Sequence, residues 1–559
     1  MTLHKTLPLA LLLVFASCTS SGPSETPGVE PTPQATATQK VENVSDFWKN
    51  ATVYFLLTDR FNNGNSANDN SFDRKQDGAV LRSFEGGDLK GITQKINEGY
   101  FTDLGVDAIW MTPVIEQIKS HTDEGTGKTY AYHGYWGRDW TTLDPNFGTE
   151  AEFAEMMEAA HQKGIRILLD VVINHIGPVT PVDEVWPKNW IRTGPPCNYK
   201  GYTSTVDCTL VENLPDILTG SNEDVELPKF LTDKWQAEGR LEAETKSLDD
   251  FFARTGYPRA PRFYFIKWFR DWVRKYGVDG FRIDTAKHTE AEIWAELKKE
   301  CAEAFEEWKK ENPDKKVDDE SFYMMGEVYG FGMGSRAYDY GDRKVDFFDN
   351  GFESLINFSF KGDANSDYET LFSKYNEALN GGQLDGISVL NYISSHDDGG
   401  PFDKERKRTF EAGTKLMLCP GGVQVYYGDE TARSLIIEGT NGDATLRSFM
   451  NWKDLENEDT QKLLAHWQKL GTFRQANQAV GAGVHEQLQA KPYVFKRTLG
   501  DKNKVLVGLD MESGVKSIPC FDVFPDGTKL RDYYSGQEVA VEGGKVEIDS
   551  EFGIVLLGE

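Results

Sequence analysis

Three acidic side chains, two of them beside a basic one, are the residues of this sequence best suited to catalysis. Asp284 lies two residues after Arg282, Glu327 follows an apolar stretch, and Asp397 comes directly after His396. Paired carboxylates suit glycoside hydrolysis, because one stays ionised to attack the anomeric carbon while the other is held protonated to donate to the leaving oxygen. Arg282 points to the same side of a strand as Asp284 and favours its ionised form. The apolar approach to Glu327 favours a raised pKa and a general acid.

The elements that must position these residues are predicted to form a barrel. From residue 51 to about residue 427, short apolar strands alternate with amphipathic helices, a pattern typical of a parallel sheet with crossover helices. Eight strands over this length favour a TIM (β/α)8 barrel, and no Gly-x-Gly-x-x-Gly follows the first strand to indicate a dinucleotide fold. The predicted strands are Thr52 to Leu57, Val106 to Thr112, Ile165 to Ile173, Val278 to Ile283, Phe322 to Gly326, a weaker one near Val345 to Phe348, Ser388 to Ser394 and Gly422 to Tyr427.

Polar residues gather where these strands end, which is where catalytic groups lie in such barrels. Asn174 and His175 close the third strand, and the acidic residues named above close the fourth, fifth and seventh. A lone Asp is more often a solvated loop residue or a helix cap. Several carboxylates converging from different strands are a stronger signal, because close like charges raise one another's pKa and destabilise the fold.

Changes in composition predict the domain boundaries. We predict a catalytic barrel at residues 46–175 and 263–478, an inserted domain after strand 3 at residues 176–262, and a C-terminal antiparallel β-sandwich at residues 479–559. Cys197 and Cys208 lie close together in the insertion and are the expected disulfide pair if the protein is exported. Five cysteines follow Cys18, so at least one should be free in a monomer.

The N-terminus predicts export and a lipid anchor. His4 and Lys5 precede an apolar run from Leu7 to Ala16 that is too short to span a bilayer. Phe15-Ala16-Ser17-Cys18 resembles a bacterial lipobox, in which the cysteine is lipidated. We therefore predict a lipoprotein signal peptide at residues 1–18 and a disordered Ser-, Thr- and Pro-rich tether at residues 19–45. The protein would be held at the cell surface or in the periplasm, touching the membrane only through its lipid.

A formal net charge of −28 excludes one class of partner. Binding to nucleic acid relies on clustered Lys and Arg, so we expect no nucleic acid partner. Aromatic residues make up 12% of the sequence, and most of them belong to the core. This content is compatible with a neutral ligand that has apolar faces and hydroxyls.

Four short segments, in order along the chain, resemble the motifs of the α-amylase family, glycoside hydrolase family 13, which includes cyclodextrin glucanotransferases. They are Asp170 to His175, Gly280 to His288, Gly326 to Val328 and Ser395 to Asp397. The resemblance implies a retaining hydrolase of α-1,4-glucosidic bonds in starch or maltodextrins, with the insertion as its B domain. It assigns Asp284 as nucleophile, Glu327 as general acid/base and Asp397 as the carboxylate that holds sugar hydroxyls. The implied substrate-binding residues are Tyr135, which stacks on the sugar, His133, His175, Arg282, Lys287, His288 and His396.

The same resemblance implies Ca²⁺. An Asn-rich stretch resembles the calcium loop of cyclodextrin glucanotransferases, and hard oxygen ligands of this kind suit calcium. The ligands carried over are Asn63, Asn65, Asn68, Asp69, the Gly86 carbonyl and Asp88. A second site between barrel and insertion would use Asn174, Asp216 and the His288 carbonyl. An Asn-rich turn without an ion is the alternative for the first site.

Two other functions stay open at this stage. A transglycosylase, or a cyclodextrin- or pullulan-degrading enzyme of the same family, would use the same catalytic residues. A non-catalytic glycan-binding surface protein would keep the barrel, since a fold alone does not establish activity. The intact Asp284, Glu327 and Asp397 argue against that second function.

Overall fold

Eight parallel strands close into a barrel in this computed structural model, which describes residues 43–123, 125–520 and 523–559. They are β1 (Thr52–Leu56), β2 (Ala108–Met111), β3 (Arg166–Val171), β4 (Gly280–Ile283), β5 (Tyr323–Gly326), β6 (Ser354–Asn357), β7 (Ser388–Tyr392) and β8 (Gly422–Tyr426). All their residues are buried. Burial on both faces explains why these strands read as apolar runs without alternation. The predicted barrel is confirmed, while the predicted signal peptide, Cys18 and almost all of the predicted tether lie outside the described residues.

The predicted sixth strand is wrong. The segment Val345 to Phe348 ends a short hairpin, Tyr338–Asp339 with Lys344–Val345, and then enters a 3₁₀ helix at Phe347–Asn350. The side chain of Asp346 caps that helix by accepting from the Phe348 N–H at 2.9 Å. The sixth barrel strand is β6, which pairs with β5 and β7.

Helices surround the barrel, and their ends follow local sequence signals. Thr149 and Glu152 form a capping box at the start of one helix, and Pro261 begins another that ends at Gly277 in the left-handed conformation. The longer helices are α1 (Leu89–Glu98), α2 (Glu150–Gln162), α3 (Lys229–Ala237), α4 (Leu241–Thr255), α5 (Pro261–Tyr276), α6 (Glu292–Glu311), α7 (Tyr368–Leu379), α8 (Thr409–Met417) and α9 (Glu458–Ala476). Short ones lie at Asp46–Asn50, Thr58–Phe61, Tyr100–Asp103, Thr203–Val206, Phe360–Asp363 and Ala479–Ala482. Among the helices that the structure describes, none has the length and apolar composition needed to span a membrane.

A long excursion separates β3 from its barrel helix α5. It holds α3, α4 and a two-stranded sheet of Ile191–Arg192 with Asp216–Ile217. The predicted Cys197–Cys208 disulfide is present. Within the described part of the chain, Cys301, Cys419 and Cys520 are buried and unbridged, which agrees with the expectation of at least one free cysteine.

Antiparallel strands form the C-terminal part of the chain, as predicted. They are β9 (Val484–Gln489), β10 (Tyr493–Leu499), β11 (Asn503–Leu509), β12 (Gly514–Pro519), β13 (Lys529–Asp532), β14 (Glu538–Ala540), β15 (Lys545–Ser550) and β16 (Val555–Gly558). Six of them form a sheet in the order β9-β10-β11-β16-β13-β14, and β12 pairs with β15. Buried apolar side chains of both sheets, among them Leu506, Ile518 and Val546, form a second core separate from that of the barrel.

Candidate active site

One buried guanidinium joins three carboxylates at the carboxyl ends of β3, β4 and β5. Arg282 Nη1 donates to Asp284 Oδ1 and to Asp170 Oδ1, each at 2.8 Å, and Arg282 Nη2 lies 2.9 Å from Glu327 Oε2. The side chain of Arg282 is 1% exposed, so water screens these charge-assisted bonds little. Because both nitrogens belong to one planar group, the carboxylates of Asp284 and Glu327 are held close together at one end of the barrel.

Thr285 donates to the two predicted reacting carboxylates through different groups. Thr285 Oγ1 donates to Asp284 Oδ2 at 3.1 Å, whereas the Thr285 backbone N–H donates to Glu327 Oε2 at 2.9 Å. Thr285 has a φ of +48°, which is rare for a β-branched residue and is a form of strain that concentrates at functional sites. Burial raises the pKa of Glu327 to about 6, opposed by Arg282 and reinforced by the charge of Asp284. A carboxyl with that pKa suits a general acid.

Asp397 reaches the same site from the end of β7 and is held ionised. Its Oδ2 lies 2.9 Å from His396 Nε2, and its Oδ1 contacts Arg447 Nη2. Although burial acts to raise it, His396 and Arg447 hold the pKa of Asp397 well below its usual range. The side chain is 43% exposed, so part of the carboxylate stays accessible while the rest contacts His396 and Arg447.

Two residues of this cluster were not among the predicted site residues. Asp170 opens the first motif and accepts from Trp110 Nε1 at 3.0 Å and Tyr135 Oη at 2.8 Å. Its signal in the sequence was an acidic residue inside an apolar strand. Arg447 lies in the loop after β8, carries no motif, and also donates from Nε to the His396 carbonyl at 3.2 Å.

Two of the predicted histidines hold the Tyr135 backbone. Tyr135 N–H donates to His133 Nδ1 at 3.1 Å, and His175 Nε2 lies 3.1 Å from the Tyr135 carbonyl. Burial lowers the pKa of His175 to about 4, so it is neutral at pH 7. The Tyr135 ring stacks 5.4 Å from that of His396, a placement compatible with an aromatic face in the site.

Lys287 and His288 lie on the Glu327 side of the site. With Tyr199, Thr285, Glu327 and Tyr329 they line a cavity of about 400 Å³. Lys287 Nζ donates to the Tyr329 carbonyl at 3.0 Å, and His288 Nδ1 lies 3.0 Å from the Thr205 carbonyl. Burial lowers the pKa of His288 to about 4.

The pKa of Glu327 predicts a pH profile. If Glu327 donates a proton to the leaving oxygen, kcat/KM for maltohexaose should fall about tenfold per unit as the pH rises beyond about 6, because the acid form disappears. Initial rates over a pH series would measure this limb. The control substrate is α-maltotriosyl fluoride, whose leaving group needs no proton, so kcat/KM for it should not show this decrease above about pH 6. A limb centred near the ordinary Glu value of about 4.3 would contradict the role.

Two segments that carry predicted ligands of the first calcium site, residues 63–69 and Gly86, lie in contact. Asn63 Nδ2 donates to Asp69 Oδ1 at 2.9 Å. The Gly86 backbone packs closely against Asn63, because a Cβ at this position would lie only 2.4 Å from Asn63 Nδ2. Both amide atoms of Asn68 are buried without a partner. Asp88 instead caps α1, accepting from the N–H groups of Gly64, Asn65 and Gly91 at 3.1, 2.7 and 2.6 Å.

Asn174 and Asp216, two residues of the second predicted calcium site, lie where the insertion meets β3. The Ile217 N–H donates to the Asn174 carbonyl at 2.8 Å, which brings Asp216 beside the strand end. Burial raises the pKa of Asp216 to about 9. One of its carboxylate oxygens lies 3.0 Å from Arg192 Nε, and the other is buried without a partner. His288, whose carbonyl is the third predicted ligand, follows β4, and its side chain contacts the insertion at the Thr205 carbonyl.

A family model for the catalytic domain of α-amylases matches residues 55–478 of this sequence, which hold the barrel from within β1 onward together with its insertion. The chain belongs to the α-amylase family. It is an α-amylase-like glycoside hydrolase.

Individual relatives agree with this membership. The chain is 38% identical to the periplasmic α-amylase of Escherichia coli (strain K12) over 529 residues, which cover 82% of this chain and 72% of that enzyme. It is 28% identical to the cyclomaltodextrin glucanotransferase of Geobacillus stearothermophilus over 493 residues, which cover 85% of this chain and 62% of that enzyme. The crystal structure of an Anoxybacillus α-amylase superposes with a TM-score of 0.62 at 24% identity, covering 92% and 98% of the two chains, and supports the fold.

Proposed function

We propose that this α-amylase-like enzyme hydrolyses α-1,4-glucosidic bonds in starch or maltodextrins with retention of configuration. The observation that carries the proposal is the bridge that Arg282 makes between Asp284 and Glu327. Retaining glycosidases need their two carboxyl groups about 5–5.5 Å apart, so that one attacks the anomeric carbon while the other protonates the leaving oxygen. A shared guanidinium supports that closeness.

In the first step Asp284 attacks the anomeric carbon as the glycosidic C–O bond breaks, and Glu327 gives its proton to the leaving oxygen. In the second step Glu327 takes a proton from water, which attacks the same carbon and releases Asp284. Arg282 favours the ionised form of Asp284 before the first step and after the second, opposing the burial that raises the pKa of that carboxyl. Asp397 would hold sugar hydroxyls and stabilise the positive charge that develops on the ring.

Configuration of the first product tests this mechanism. Proton NMR during the first turnovers of maltohexaose should show α-anomers before mutarotation, because two inversions at one carbon restore its configuration. An initial excess of β-anomers would overturn double displacement.

Chromatography of the same mixture tests the second candidate function, a transglycosylase, since the similarity to a glucanotransferase is compatible with transfer. Dominant cyclic or lengthened glucans would establish a transglycosylase.

We also propose that calcium occupies the loop of Asn63, Asn65, Asn68, Asp69 and the Gly86 carbonyl. The unpartnered, buried amide of Asn68 supports it, because a buried polar group without a partner is costly. Asp88 would serve mainly as the N-cap of α1 and not as a calcium ligand. Asn174, Asp216 and the His288 carbonyl form the weaker proposed site, in which Arg192 Nε already lies 3.0 Å from one Asp216 oxygen. When bound, calcium would tie together the segments that carry these oxygens.

Removal of calcium should lower the melting temperature by roughly 5 °C, because a ligand that binds only the folded state stabilises it. Differential scanning calorimetry before and after chelation would measure the change. Restoration by Ca²⁺ but not by an equal concentration of Mg²⁺ is the control. An unchanged melting temperature after complete chelation, with full activity, would contradict both proposed sites.

We further propose that the protein is exported and anchored by a lipid on Cys18. Its similarity to a periplasmic α-amylase and its Cys197–Cys208 disulfide support an oxidising compartment. Fractionation of a Cys18→Ala variant tests the anchor: the variant should leave the membrane fraction, and its retention there would contradict lipidation.

A further inference from the structure

Thr285 follows the predicted nucleophile directly and lies in a strained turn. Its φ of +48° and ψ of +36° place it in the left-handed region, which glycine occupies readily and a β-branched side chain disfavours. Strain of this kind persists only where the surrounding structure holds it, and it concentrates at functional sites. A threonine in this conformation therefore points to a role for its side chain.

Backbone hydrogen bonds hold this turn against the end of β5. The Ala286 N–H donates to the Glu327 carbonyl at 2.9 Å. The Thr285 N–H donates to Glu327 Oε2 at 2.9 Å, and the Thr285 carbonyl accepts from the His288 N–H at 2.9 Å. These bonds set the direction of the Thr285 side chain, and a substitution of that side chain leaves all of them in place.

Each oxygen of the Asp284 carboxylate has its own side-chain donor. Arg282 Nη1 donates to Oδ1 at 2.8 Å, and Thr285 Oγ1 donates to Oδ2 at 3.1 Å. The Asp284 side chain is 8% exposed, so water can replace a lost donor only poorly. Removal of the Thr285 hydroxyl would thus change the nucleophile while the Arg282 bridge to Glu327 stays intact.

The strength of the Thr285 hydrogen bond depends on the state of Asp284. A hydrogen bond to an ionised acceptor is roughly twice as strong as one between neutral groups. The Asp284 carboxylate is ionised before attack and becomes a neutral ester in the glycosyl-enzyme. The hydroxyl therefore stabilises the free carboxylate more than the ester, and its hydrogen bond strengthens as the ester breaks.

We propose that Thr285 is a further catalytic residue, whose hydroxyl assists the departure of Asp284 from the glycosyl-enzyme. This inference rests on the proposed double displacement. In the second step the bond between the anomeric carbon and Asp284 breaks, and its electron pair returns to the carboxylate. Water bonds to that carbon and gives a proton to Glu327. Thr285 keeps its own proton and stabilises the returning charge.

Thr285→Val tests this role, because it removes the hydroxyl and keeps the β-branched shape. With α-maltotriosyl fluoride the first step needs no proton donor, so the second step limits turnover. The value of kcat should fall about fivefold to tenfold and KM should fall in parallel, because the glycosyl-enzyme accumulates. The ratio kcat/KM reports the first step and should stay within about twofold.

Rapid quenching followed by intact-protein mass spectrometry measures the maltotriosyl adduct directly. Its decay should be about fivefold to tenfold slower in Thr285→Val than in the wild type. Thr285→Ser, which keeps the hydroxyl, is the matched control and should decay within about twofold of the wild type. Thr285→Ala should behave like Thr285→Val, because both lack the hydroxyl although their shapes differ.

An unchanged decay in Thr285→Val, or a Thr285→Ser variant slowed as strongly, would overturn the role of the hydroxyl while wild-type hydrolysis with retention stood. A kcat/KM lowered as much as kcat, with no adduct, would also overturn it, because a distorted site slows the first step. A wild-type enzyme that released β-anomers, or that cleaved neither maltohexaose nor the fluoride, would overturn both this inference and the proposed function.

Discussion

Asp284→Asn should lower kcat/KM for maltohexaose by at least about 10⁴-fold, because an amide cannot form the glycosyl ester. The fold should survive, since the amide oxygen of Asn can still accept from Arg282 Nη1, which lies 2.8 Å from Asp284 Oδ1. Initial rates and thermal unfolding of the same preparation would measure both effects. This is the largest effect expected of any single substitution in the chain.

The matched control for that variant is Asp398→Asn. Asp398 is a neighbouring carboxylate that accepts from Tyr392 Oη at 2.6 Å and pairs with Lys361, away from the Arg282 bridge. The activity of the Asp398→Asn variant should stay within about tenfold of the wild type. If Asp284→Asn kept a percent or more of the wild-type activity with unchanged unfolding, another group would be the nucleophile.

Glu327→Gln should lower kcat/KM for maltohexaose by about 10²–10⁴-fold, because the leaving oxygen loses its proton donor. With α-maltotriosyl fluoride the first step needs no donor, whereas the second still needs Glu327 to activate water. The glycosyl-enzyme on Asp284 should therefore accumulate, and intact-protein mass spectrometry would detect the added maltotriosyl group.

Azide provides the control for this second prediction, because it attacks without a general base. It should restore turnover of the fluoride by Glu327→Gln and release α-maltotriosyl azide, the retained configuration. It should leave the wild-type rate nearly unchanged. A first step slowed as strongly on the fluoride as on maltohexaose, with no adduct, would show that Glu327 supports the structure of the site and not proton transfer.

The catalytic strands were predictable because their signals are local. Arg282 and Asp284 share one side of β4 by the two-residue period of a strand, and this spacing alone places a guanidinium beside the carboxylate. Seven of the eight barrel strands were recognised from apolar runs. The exception is β6 at Ser354–Asn357, which follows the predicted segment; the apolar pair Phe347 and Phe348 of that segment lies in a 3₁₀ helix capped by Asp346.

The sequence by itself determined the barrel and the order of its polar strand ends, and it indicated Cys197 and Cys208 as the candidate pair whose bridge the structure shows. Only the tertiary structure decided which distant groups meet there. Arg447 contacts Asp397 across fifty positions of chain through the path of a loop, and Tyr199 reaches the cavity beside Glu327 from the insertion. Loop paths depend on contacts with the whole surface they cross, so spacing along the chain carries no record of them. Burial, which raises the pKa of Glu327, likewise arises only when the surrounding strands close into a barrel.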